Sequence, residues 1–143
     1  MMICGVELTG SDAVLCFLHL DRGQFSLPDC KVRKLSLPKN HTREDLMQFQ
    51  RSFAELMTEK GVSRVVIKER MPKGKFAGGA VSFKMEAAIQ LIDGVTFEVH
   101  LLPSALIKST LSAKPQPVPF AETGLKAFQE TAFTAAYVGH VAK

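Results

Sequence analysis

The chain has 143 residues, 46% of them apolar and 22% charged, with a formal net charge of +4. Those values fit one globular domain spanning 1–143 and exclude a disordered chain, and no run approaches the ~18 consecutive apolar residues of a membrane-spanning helix. The positive balance permits a polyanionic partner without demanding one.

Residues 2–20 (MICGVELTGSDAVLCFLHL) read as two apolar strands joined by the turn Thr9-Gly10-Ser11-Asp12. Glu7 is the single acid of the first strand. A carboxylate in an apolar run has to be solvated, paired or bound to a cation, because burying it bare costs several kcal/mol. Glu7 is therefore either wetted at the strand's open end or part of a metal site at the carboxyl edge of a sheet. The cysteines, Cys4, Cys16 and Cys30, lack C-x-x-C spacing, which disfavours a zinc site. Centring the turn on Gly10 sets Cys4 and Cys16 nearly opposite each other. That suits a disulfide in a secreted protein and buried free thiols otherwise. The amino end has no basic lead, so free thiols and a cytoplasmic setting are expected.

Residues 25–37 (FSLPDCKVRKLSL) look like a third strand, an edge strand given Pro28 and the polar alternation. Thr42 then opens a helix to Gly61, with Asp45 in a variant capping box and Leu46, Phe49, Phe53, Leu56 and Met57 as its apolar stripe. Residues 64–67 (RVVI) read as a buried parallel strand. A basic, glycine-rich loop follows, 68–79 (KERMPKGKFAGG), leading into a helix over 80–93 that is apolar over most of its surface, with Ser82, Glu86 and Gln90 on one stripe. Residues 96–102 form the next strand, Pro103 starts a helical turn through Leu111, 112–119 (SAKPQPVP) is a proline-rich connector, and 120–141 is the closing helix. That last helix carries Leu125, Phe128, Ala132, Ala135, Ala136 and Gly139 on one face, a small-residue stripe suited to pressing on a sheet.

Three strands, then helix, strand, helix, strand, helix imply an α/β domain with a five-stranded mixed sheet, order 3-2-1-4-5, and helices on both faces. This is the order of the ribonuclease H-like superfamily. GVELTG resembles the first-strand motif of the RuvC-type Holliday-junction resolvases, VVIKERM with its loop and glycine-containing helix resembles their fourth strand and dimer helix, and HLLPSALIKSTL resembles their fifth strand with a lysine-bearing segment after it. The chain also resembles a small, uncharacterised bacterial family of that superfamily.

The resemblance implies a carboxylate site holding Mg²⁺ or Mn²⁺, with one metal activating water and another steadying the leaving oxygen. Glu7 matches the first-strand acid, in place of the more usual Asp. Glu69 is the candidate second acid, although a gapless match from Val65 places Lys68 there, and one residue of slippage reverses a side chain's face. Glu69 serves only if the strand ends early or bulges. Should Lys68 face the site, its ammonium would sit where a metal belongs. Gln129 and Ala132 stand where two aspartates are expected, so Gln129 offers only a neutral oxygen. Glu130 reads as a solvated surface charge, and Glu122 lies one to two turns early. Glu7, Glu69 and Gln129 are thus the candidate catalytic set, with Glu7 and Glu69 as metal ligands. Lys73, Lys75, Phe76 and Lys108 are the candidate contacts to DNA or RNA; Phe76 occupies the loop that carries an aromatic wedge in the resolvases. The expected function is a nucleic-acid-associated domain with a degenerate site and weak or no nuclease activity, dimeric through the 80–93 helix. The alternative is a non-catalytic protein-interaction module on the same fold. No Ser-His-Asp or G-x-S-x-G arrangement is present, and the histidines share no ligand spacing.

Overall fold

A long hairpin forms the middle of the molecule. In the computed structural model, which describes residues 1–71, 73 and 79–142, β1 (Met2–Thr9) and β2 (Asp12–Asp21) pair antiparallel from Met2↔His19 to Thr9↔Asp12. The connecting turn has only two residues, and Gly10 supplies the positive φ (60°) that it needs. β5 (Val62–Lys68) lies parallel to β1, and β6 (Glu98–Leu102) lies parallel to β5.

The expected third strand is two short ones. β3 (Gln24–Ser26) pairs with the far end of β2, and β4 (Lys34–Ser36) pairs with its beginning. Pro28 has no N–H to give to a ladder, and the chain leaves the sheet around it before returning. The strand order is β3-β2-β1-β5-β6 with β4 also on β2, so the expected 3-2-1-4-5 path holds in a six-stranded sheet.

The two faces of this sheet carry different helices. α1 (Arg43–Glu59) starts from a complete capping box, with the Thr42 amide donating to Asp45 Oδ2 at 2.9 Å and the Asp45 amide to Thr42 Oγ1 at 3.2 Å. α1 and α2 (Ala80–Gln90) cover Cys4, Val6, Leu8, Val65 and Ile67 with Phe49, Phe53, Met57, Met85 and Ile89. On the opposite face α4 (Glu130–Val141), helped by α3 (Ser104–Ala113), covers Ile3, Cys16, Leu18 and Val66. α4 lies almost flush with β1. A Cβ on Gly5 would fall against the Ala132 carbonyl oxygen and 2.6 Å from the Ala136 nitrogen.

Alternation also settles the cysteines. Cys4 and Cys16 are close in register but belong to opposite faces, so no disulfide joins them. Burial holds the Cys4 thiol well above the usual range and pushes Cys16 up to about 12, which leaves both as inert core thiols.

The closing helix is shorter than its sequence pattern. Two 3-10 turns, Phe120–Glu122 and Ala127–Gln129, precede α4, separated by Gly124 at φ 78°. Phe128 is consequently 47% exposed instead of packed, whereas Ala132, Ala135 and Ala136 are buried as the stripe predicts. Tyr137 fastens the proline-rich connector to α4, its hydroxyl lying 2.9 Å from the carbonyl oxygens of both Lys114 and Pro115.

Candidate functional site

β1, β5 and β6 all run the same way, so their carboxyl ends share one edge of the sheet, the place where open α/β folds bind ligands. Glu7 reaches this edge. It follows Gly5 in the alternation, on the α4 face, and is partly exposed. It opens onto a cleft of about 460 Å³ shared with Asp12, Lys34, Phe128, Glu130 and Thr131. Asp12 is already engaged, accepting from Ser36 Oγ and lying 3.7 Å from Lys34 Nζ. The Lys34 ammonium also sits 5.9 Å from the centre of the Phe128 ring.

The residue beside Glu7 is Lys68. Ladder pairing runs to Val6↔Ile67, and its next step sets Glu7 against Lys68, which itself pairs with Leu102 of β6. Val66 is buried under α4, so Lys68, two residues on, has the same facing. Glu69 is on the other side. Its amide donates to the Leu102 carbonyl at 2.9 Å, so the strand neither stops early nor bulges before it. Its neighbour there is Glu86 of α2. Burial, and then the Glu69 charge, hold the Glu86 carboxyl above its ordinary value. One Glu86 oxygen is buried without a hydrogen-bond partner among the described residues.

Gln129 is fully committed elsewhere. It is 4% exposed, its Nε2 donates to the Leu15 carbonyl at 2.9 Å, and its Oε1 accepts from the Lys126 amide at 3.0 Å. These bonds anchor the turn that launches α4. The structure therefore does not bring Glu7, Glu69 and Gln129 together. The residue missed by periodicity is Glu130. It is a surface charge, as expected, yet it borders the Glu7 cleft, because α4 begins at it instead of ten residues earlier. The only local signal was Gly124. Glu122 instead lines a separate apolar cavity of about 400 Å³ with Phe25, Phe133 and Tyr137.

Lys73 is exposed just beyond β5, and Lys108 is exposed on α3. Lys75 and Phe76 lie outside the described residues. A two-metal centre needs several carboxylates converging on one point. Among the described residues no three His, Cys, Asp or Glu side chains are placed to hold a metal ion, and the strand position adjoining Glu7 belongs to a lysine, Lys68. The donor set does not fit the Mg²⁺ or Mn²⁺ centre that the resemblance implies. Among the described residues, no helix is long and apolar enough to cross a membrane.

Comparison with solved structures agrees with this topology. RuvC of Thermus thermophilus superposes with a TM-score of 0.73 at 10% identity, covering 96% of this chain and 92% of that one. The same protein in complex with a Holliday junction substrate gives 0.70 at 11% identity, covering 96% and 91%. The fowlpox virus resolvase with its Holliday junction DNA gives 0.58 at 14% identity, covering 100% of both chains. These likenesses show a ribonuclease H-like fold. No curated protein matches the sequence. A family model described as "Protein of unknown function (DUF3010)" matches residues 1–139, and the chain belongs to that family.

Proposed function

We propose that this chain is a nucleic-acid-binding domain whose carboxylate site is degenerate, cleaving slowly or not at all with Mg²⁺ or Mn²⁺. One observation carries the reading: Lys68, not Glu69, continues the ladder beside Glu7 on the α4 face. An active site of the two-metal type concentrates negative charge at this edge. Here the edge alternates in sign, and the second acid faces the opposite layer. Support for a nucleic-acid partner comes from the Holliday junction substrates bound by two of the similar structures. The net charge of +4 and the exposed Lys73 and Lys108 agree with it.

The test is binding and cleavage measured together on labelled single-stranded, duplex and four-way-junction DNA and the matching RNAs. The expected result is salt-sensitive binding to at least one of them, with substrate left intact in Mg²⁺ or Mn²⁺. Brisk Mg²⁺-dependent cleavage abolished by Glu7→Gln contradicts the degenerate site. Absence of salt-sensitive binding to any of them contradicts the partner class.

A second reading, a dimeric interaction module, has its own observation. α1 and α2 leave a cleft of about 350 Å³ bordered by Leu46, Met47, Ala87 and Leu91, with Leu91 74% and Met47 39% exposed. Arg43 and Lys84 flank it. A second copy meeting this one through the 80–93 segment would cover that surface.

A further inference from the structure

Across the carboxyl edge of the sheet runs one row of side chains on the α4 face. Lys34 pairs with Val14, Val14 pairs with Glu7, and the β1–β5 ladder continued by one step sets Glu7 beside Lys68. The row therefore reads lysine, valine, glutamate, lysine. At ~4.8 Å per strand the two lysine positions stand about 14 Å apart. That distance is enough to meet separate phosphates of one backbone. Lys34 is open to solvent despite its 3.7 Å approach to Asp12, and Lys68 is partly buried at the strand end.

The donor set does not fit a divalent centre, and the same row suggests what replaces it. We infer that the edge binds a nucleic-acid phosphodiester backbone directly and without a divalent ion, with Lys68 and Lys34 as the anchoring cations on either side of Glu7. This rests on the nucleic-acid reading and specifies how that same edge makes contact. A lysine ammonium supplies fixed positive charge but neither a second coordination shell nor an activated water. The arrangement holds a phosphodiester without hydrolysing it.

Glu7, Asp12 and Glu130 oppose an anion here, Asp12 from beside Lys34 itself, and the Glu7 repulsion gives the test its sign. In a metal-bridged site Glu7 is needed for binding; in a lysine-anchored site it weakens binding.

The experiment is fluorescence anisotropy of a labelled four-way DNA junction, run in EDTA and again in Mg²⁺, over a series of salt concentrations. Lys68→Gln, Lys68→Arg, Lys34→Gln, Glu7→Gln and the opposite-edge control Lys60→Gln are compared after their melting temperatures are matched. Expected are binding in EDTA at least as tight as in Mg²⁺, which competes for the phosphates, a several-fold loss in Lys68→Gln and Lys34→Gln, and a salt slope lower by about one in each. Lys68→Arg is expected to keep wild-type affinity, Glu7→Gln to bind more tightly, and Lys60→Gln to match wild type. Binding that needs Mg²⁺ and is lost in Glu7→Gln overturns the inference in favour of a metal site. Metal-independent binding unchanged by Lys68→Gln and Lys34→Gln overturns it while leaving the nucleic-acid reading intact. No binding by the wild type removes both.

Discussion

Gly5 shows how much of this molecule turns on single positions in β1. Its missing side chain lets the α4 backbone approach β1 directly, with Ala132 and Ala136 as the facing residues. Gly5→Ala places a methyl group against backbone, where no flexible side chain can move aside. The expected cost is about 2–3 kcal/mol, as for an overpacked core, read as a lower urea midpoint with an unchanged slope. A change below about 0.5 kcal/mol would mean that α4 is not seated this way. Glu7 depends on the same contact, since α4 and its launching turn form one wall of the Glu7 cleft. Sequence made Glu7 legible because a lone acid in an apolar strand is conspicuous. Whether Lys68 or Glu69 accompanies it was not legible. That depends on how far β5 continues, which is set by hydrogen bonds to Leu102, some thirty residues away in the chain.

Among the elements, those governed by local chemistry were the readable ones. α1 has its cap, stripe and terminal glycine within one stretch, and its observed bounds nearly match the expectation. The third strand and the closing helix were overextended for non-local reasons. β3 and β4 each form only where β2 offers an edge, and α4 starts directly after Gln129, whose side chain is held by the Leu15 carbonyl 114 residues away in the chain. The apolar surround of the 80–93 segment proved to be half core and half surface: Met85 and Ile89 are buried, and Leu91 stands out. That exposure belongs to the α1–α2 layer, away from the Glu7 face. If it is an interface, sedimentation velocity at high micromolar concentration shows a dimer, and Leu91→Asp returns it to monomer without lowering the melting temperature. A wild-type monomer throughout that range would rule the interface out.

At the scale of the whole molecule, the sheet separates Glu7 from Glu69. Glu7 lies on the α4 face and Glu69 on the opposite face, beside Glu86 of α2. A ribonuclease H-like fold therefore presents an edge of mixed charge where a metal-dependent nuclease concentrates carboxylates. Glu7 and Glu69 do not converge on one point. Calorimetric titration of Mn²⁺ into the wild type and Glu7→Gln checks this. At most one weakly held ion is expected, never a pair. Two saturable sites in the wild type, both lost in Glu7→Gln, would contradict it.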